Sequence, residues 1–207
     1  MKISLNVKDL LWINSFCNQD LTDNRGFAQI ILTKIIDQVF LIGTDGNVIL
    51  FYEPYNVYEY EDIKDGVNYC IYIDKKGINA LKNLNTNETV KIDYTDGTFY
   101  TDSLPRINCF QYRKCDINFG TWLQNLPDLP EEQSNRSNTY EFDNKKLSKF
   151  AVEDKRLILS IANHRILLVK MPKKPNCFGM ICSCYIIEDK INKGFENLTK
   201  KLNESEE

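Results

Sequence analysis

The chain has 207 residues, a formal net charge of −3 and 43% hydrophobic residues, with 11 tyrosines and 11 phenylalanines. That length and composition suit a globular protein with a real core, and exclude a disordered or low-complexity chain. The charge excludes a generally basic protein, so any contact with nucleic acid must use a local basic face.

In chain order, Ile3, Leu5 and Val7 alternate with polar residues and predict an opening strand. It lacks the apolar core of a signal peptide. Lys8 to about Asn18 predicts a helix with an apolar stripe of Leu10, Leu11, Ile13, Phe16 and Cys17. Asp9 falls in its first turn, where the helix dipole favours an anion. After a loop over 20–26, residues 27–36 predict an apolar strand, then a hairpin turning at Asp45-Gly46. The acidic, tyrosine-rich stretch from Tyr55 to Gly66 reads as a solvated connection. Val67 to Ile73 predicts a strand, Asp74 an N-cap, and Lys75 to Asn85 a helix with Ile78, Leu81 and Leu84 inward.

A second hairpin turns at Asp96-Gly97, and 107–115 predicts another strand. Residues 117–139 hold Leu126-Pro127-Asp128-Leu129-Pro130 and a polar run, and read as an exposed linker. Then come a short strand over 139–142, a helix capped by Asp143, a hairpin turning at Asn163-His164, and a last strand over 177–187. In the tail, Ile187, Ile191, Phe195, Leu198 and Leu202 have the spacing of an amphipathic helix over 188–207.

The three hairpins align without gaps: Thr95-Asp96-Gly97 falls on Thr44-Asp45-Gly46, and both Pro105 and Pro172 fall on Pro54. An internal repeat is the economical explanation. Each unit reads strand, helix, three strands. The predicted fold is α+β, with antiparallel sheets and helices on one face. Residues 1–116 make a domain of two units and 140–187 a third unit.

The seven cysteines include no C-x-x-C pair and the single histidine, His164, sits in a turn, so no metal site is expected. The cysteines read as reduced, buried thiols, which points to the cytoplasm. No apolar run is long enough to span a membrane. There is no G-x-S-x-G and no phosphate-binding glycine loop. Asp45, Asp93 and Asp96 lie at turns, where aspartate serves the backbone. No catalytic residue and no cofactor are expected, and the chain is read as a non-enzyme.

The repeated strand–helix–three-strand unit resembles the DNA sliding clamps, the bacterial polymerase processivity clamp in particular. The residues that carry the resemblance are Met1-Lys2-Ile3 with Leu10-Leu11, then Leu41-Ile42-Gly43-Thr44-Asp45-Gly46, Ile73-Asp74-Lys75-Lys76 leading into 78–84, and Glu88-Thr89-Val90-Lys91-Ile92 through Asp96-Gly97. It covers 1–116 and resumes more weakly over 140–187. The resemblance implies a non-enzymatic processivity factor that tethers a polymerase or clamp loader to duplex DNA. It also implies helices whose lysines meet the DNA backbone: Lys8 in the first, Lys75, Lys76 and Lys82 in the second, Lys145, Lys146 and Lys149 in the third. Lys145, Lys146 and Lys149 are expected on one exposed face. Arg25 is similar in placement to a clamp arginine that approaches DNA.

Bacterial clamps have three domains per subunit, and this chain has room for about one and a half. That resembles a compact clamp of a phage or mobile element. The third unit would lack its usual partner and leave sheet edges open, so a homo-oligomer is expected, a tetramer first and a dimer next, with the competing outcome a monomer whose linker over 126–138 folds the third unit back over the first domain. The alternative is a clamp-fold interaction protein that sequesters a replication or host factor without binding DNA. A third possibility, a metal-dependent nuclease built on the acidic turns, has the least sequence support.

Overall fold

A computed structural model describes residues 2–18, 28–35, 38–58, 67–94, 96–108, 119, 140–141, 143–163, 166–182 and 185–186. Three units of one strand, one helix and three strands follow each other. The first is β1 (Lys2–Asn6), α1 (Val7–Asn14), β2 (Ile30–Ile35), β3 (Gln38–Thr44) and β4 (Val48–Tyr52). After the short β5 (Asn56–Tyr58), the second is β6 (Asn68–Ile71), α2 (Lys75–Lys82), β7 (Thr89–Asp93), β8 (Thr98–Tyr100) and β9 (Ile107–Asn108). The third is β10 (Tyr140–Glu141), α3 (Asn144–Ala151), β11 (Ile158–Asn163), β12 (Ile166–Lys170) and β13 (Cys177–Cys182), followed by β14 (Tyr185–Ile186).

The first two units exchange their leading strands. β1 joins the second unit's strands in a five-stranded sheet, β5-β1-β7-β8-β9, and β6 joins the first unit's strands. The third unit then extends that second sheet to seven strands, β11-β12-β13-β4-β3-β2-β6. Its β13 pairs antiparallel with β4, Cys177 opposite Tyr52 and Ile181 opposite Val48. So the third unit does have a partner: its last strand, β13, satisfies the backbone edge that β4 would otherwise leave open. All ladders among the described residues are antiparallel. β10 pairs with β14 in a separate two-stranded ladder, and this divides the single strand expected over 177–187.

The repeat is one of elements, and the hairpin alignment is displaced by one strand. Asp45-Gly46 joins the second and third strands after its helix, whereas Asp96-Gly97 joins the first and second. The Asn163 turn also lies between the first and second. Apolar strand, tight turn, apolar strand is a pattern that does not encode a hairpin's place in its unit. The two glycines do share a mechanism: Gly46 at φ 91° and Gly97 at φ 62° take the left-handed backbone these turns require.

The helix ends have identifiable causes. Asp74 accepts a hydrogen bond from the Gly77 amide at 2.7 Å, and Asp143 one from the Lys145 amide at 2.8 Å. Both are the expected N-caps. α1 has no side-chain cap. Its first free amides, Val7 and Lys8, donate instead to the carbonyls of Glu88 and Thr86, at 2.9 and 3.1 Å. The helix expected to reach Asn18 stops at Asn14, because the Phe16 and Cys17 amides tighten onto Ile13 and Asn14 at i−3 spacing.

One core joins the helices to the inner faces of both large sheets. It contains Ile3 and Leu5 of β1, Leu10, Ile13 and Phe16 about α1, Leu81 of α2, Phe99 of β8, Phe150 of α3 and Val169 of β12, each 5% exposed or less. Burying each such side chain contributes about 1.5–3 kcal/mol. Ile78 and Leu84 pack against this core half-buried. α3 reaches the sheet because Gly179 of β13 has no side chain: a Cβ there would overlap the Phe150 ring. The opposite face of the seven-stranded sheet is also apolar, with Ile31, Ile42 and Phe51 fully buried and Phe119 stacked edge-on against Phe51.

Candidate nucleic-acid interface

The three helices form a row with α1 in the middle. α1 packs against α2. On its other side the Trp12 indole Nε1 donates to the Lys149 carbonyl of α3 at 2.9 Å, and the Phe16 and Phe150 rings sit 4.9 Å apart. Such a ring pair adds about 0.5–1.5 kcal/mol beyond its burial.

At the α1–α3 seam two of the expected cations, Lys8 and Lys149, are already paired. Lys8 is exposed, yet its Nζ lies 2.9 Å from Glu153 Oε2, a carboxylate side chain only 2% exposed. Lys149 is half-buried, with its Nζ 3.1 Å from Asp45 Oδ2 and 5.5 Å from the centre of the Phe16 ring. Lys146 is half-buried too, and only Lys145 of the three is exposed. The single exposed face expected for Lys145, Lys146 and Lys149 therefore does not form. α3 docks on α1 through Phe150 and Lys149 and turns that side inward.

The seam also holds groups with no local signature in the sequence. Asp9, 4% exposed, accepts from the Tyr52 hydroxyl at 2.8 Å and from Lys174 Nζ at 2.6 Å. Lys174 also lies 3.7 Å from Glu153 and 5.8 Å from the Trp12 ring centre. Burial works against the Lys174 charge, but Asp9 outweighs it and raises the ammonium's pKa. Burial, then the bond to Asp9, pushes the Tyr52 phenol up.

α2 is different. Lys75, Lys76 and Lys82 are exposed, and none forms an ion pair with a described residue. Lys75 and Lys82 stand at the two ends of the helix and line a groove of about 450 Å³ between α2 and the end of α1, together with Asn14, Asn18, Asn79 and Tyr72. Among the described residues no carboxylate lines it. Two ammonium groups and three carboxamides make it a seat for anionic, hydrogen-bonding ligands. The asparagines gave no signal in the sequence, because side-chain amides at loop and helix positions are common. Arg25 lies outside the described residues.

The turn carboxylates already have partners, backbone amides for Asp45 and Asp93 and a side chain for Asp96. Asp45 Oδ1 accepts from the Asn47 and Val48 amides, both at 2.9 Å. Burial raises its pKa, but these amides and then Lys149 more than offset that and hold it below the usual carboxylate range. Asp93 accepts from the Asp96 amide at 3.3 Å, and Asp96 pairs with Arg106 at 3.2 Å. Among the described residues no cluster of three or more histidine, cysteine or acidic groups could hold a metal ion. Cys17, Cys70 and Cys177 are buried free thiols, and burial lifts Cys17 and Cys177 to about 12. Cys109, Cys115 and Cys184 lie outside the described residues. No helix among those residues is long and apolar enough to cross a membrane.

No protein-family model matches the chain, and no curated protein does. Solved structures match it. A putative DNA polymerase III beta subunit from Eubacterium rectale aligns at a TM-score of 0.55 and 12% identity, over 88% of this chain and 65% of its own. DNA polymerase III subunit beta from Borrelia burgdorferi, solved in complex with a natural product, gives 0.53 and 13%, over 88% and 63%. The beta subunit from Thermotoga maritima gives 0.51 and 8%, over 91% and 65%. The chain thus spans a little under two thirds of the length of each of these. On these alignments the chain has the fold of the DNA polymerase III beta sliding clamps.

Proposed function

We propose that this chain is a non-enzymatic, sliding-clamp-like factor that holds duplex DNA through backbone contacts and tethers a polymerase or clamp loader to it. The observation that carries this reading is the cationic rim of α2, which forms no ion pair with a described residue. Lys75, Lys76 and Lys82 are exposed on α2, and Lys75 and Lys82 line a groove that no described carboxylate enters. Lys145 adds a fourth exposed cation on α3. Contacts of this kind neutralise phosphates, are independent of sequence and weaken as salt rises. In the chain as a whole acids outnumber bases, so local clustering is what would give the face its affinity.

The proposal includes a homo-oligomer. The seven-stranded sheet ends in β11 on one side and β6 on the other, and the five-stranded sheet in β5 and β9. Leu159, on β11, is 46% exposed. β11, with six residues, is the longest of these edge strands, and pairing between copies would cover it. A compact ring of four chains is the first expectation, and cytoplasmic replication machinery of a phage or mobile element its setting.

A second reading has its own support. Lys8 and Lys149 are engaged by Glu153 and Asp45, so two of the three helices offer less positive charge than their sequences suggest. A clamp-fold protein that sequesters a replication or host factor would keep the helical row without needing DNA. Gel shifts on linear and circular duplex across a salt series, set beside pull-down from a lysate, separate the two. Salt-sensitive retention of DNA supports the clamp. A stoichiometric protein partner that excludes DNA supports sequestration.

A further inference from the structure

The groove behind the α2 rim carries more chemistry than phosphate contact uses. Lys75, Asn79 and Lys82 fall at i, i+4 and i+7 of α2, so they share one face over about 10 Å of helical rise. Along that face the order is ammonium, carboxamide, ammonium. Asn14, at the end of α1, brings a second carboxamide to the same groove. None of these four side chains has a hydrogen-bond or ion-pair partner among the described residues. Tyr72, Ile73 and Ile78 give the groove an apolar part, and Ile73, 5% exposed, anchors it in the main core. We propose that this groove is a site for one unpaired nucleotide of a nucleic-acid strand, with its base between Asn14 and Asn79 and its flanking phosphates on Lys75 and Lys82.

The inference rests on the reading of the rim as a nucleic-acid contact and adds what the groove behind it takes. A duplex backbone presents phosphate oxygens, which only accept hydrogen bonds. The ammonium groups answer that, but a carboxamide both donates and accepts, so half of its capacity would go unused there. An unpaired base presents donors and acceptors on its edge and an apolar face besides. Phosphate, base, phosphate along a strand matches the order cation, amide, cation along α2. Size points the same way. A volume of about 450 Å³ is that of a small-ligand site, with room for one nucleotide and too little for a duplex. A base held in its stack cannot enter such a space, so the site selects nucleotides that are already unpaired or displaced.

The test is anisotropy of a labelled short oligothymidylate and of a duplex of equal length, each titrated with the full-length chain. Asn79→Leu puts a better helix former at an exposed position, so its Tm should match the parent's. It should weaken single-strand binding about fivefold, and by more than it weakens duplex binding. Asn79→Gln, which keeps a carboxamide, should recover most of that loss. Thymidine 5′-monophosphate should displace the oligonucleotide at concentrations where inorganic phosphate does not. Equal competition by phosphate would make the groove a bare anion seat and overturn the proposal, as would equal losses for the two DNAs in Asn79→Leu. A monophosphate that binds as tightly as the oligonucleotide would overturn it too, because the second phosphate would then contribute nothing. A chain that holds the oligonucleotide but no duplex would sustain this site and defeat the clamp reading, and one that holds duplex alone would do the reverse.

Discussion

Lys174 Nζ lies 2.6 Å from Asp9 Oδ1, in a contact that ties the third unit to the first across 165 residues of sequence. Both side chains are largely buried, at 22% and 6% exposure. A buried pair of this kind gives little net stability over an apolar substitute, but losing one member strands the other charge. Lys174→Met should therefore destabilise the chain by about 2–4 kcal/mol in urea unfolding. Adding Asp9→Asn to it should recover part of that loss. If the single variant unfolds at the same urea concentration as the parent, the pair is not holding the seam.

The ionisable groups set the pH limits of stability. The Lys174 pKa is raised in the folded chain, so its contribution is present at neutral pH and is lost as pH rises through that raised value. Cys17 and Cys177 act in the same direction. Their thiols ionise near 9.0 when unfolded and at about 12 when buried, so stability declines from about pH 9 upward. Asp45 works at the acid end: its lowered pKa gives stability above the ordinary value of 3.8, lost as pH falls through the folded value. Thermal melts across pH should show both limbs. Cys17→Ala and Cys177→Ala together should soften the alkaline one, and an unchanged limb would assign it to other groups.

The lysines should divide into two classes. Lys75→Glu and Lys82→Glu change exposed residues and should shift stability by no more than about 0.5 kcal/mol each. They should weaken DNA binding and flatten its salt slope. Lys149→Glu places a carboxylate against Asp45 at a half-buried site and should lower Tm on its own. A Lys149→Glu chain that melts like the parent would return that residue to the solvated face expected from sequence.

Gly179 is the tightest junction between α3 and its sheet. Gly179→Val should displace the Phe150 ring and cost about 1–3 kcal/mol by overpacking. Gly179→Val with Phe150→Leu should be the milder variant. Equal losses in the two would mean that strain arises elsewhere.

The elements were legible in the sequence because each has a local cause. Alternation marked β1, Asp74 and Asp143 marked two helix starts, and Asp-Gly marked the turns. The placement of the third unit was not legible, because β13–β4 pairing and the Asp9–Lys174 contact join residues far apart and leave no periodic trace. The same limit explains the lysines. A helical sequence shows that Lys149 is charged, but Asp45, which engages it, lies 104 residues away. The α2 cations are exposed in the structure, and their role toward DNA is a matter for the binding measurement. The hairpin alignment slipped by one strand because equal apolar strands and equal turns look alike without their ladder partners.

The central claim is that this clamp-like chain holds duplex DNA through the α2 rim. Its most direct test is fluorescence anisotropy of a labelled duplex, titrated with the full-length chain from low to physiological salt, for the parent and Lys75→Glu/Lys82→Glu. Parent affinity should fall linearly with salt on a log–log scale, and the variant should bind more weakly with a slope shallower by about two phosphate contacts. No binding by the parent to linear or circular duplex at low salt, or an identical slope in the variant, would contradict it.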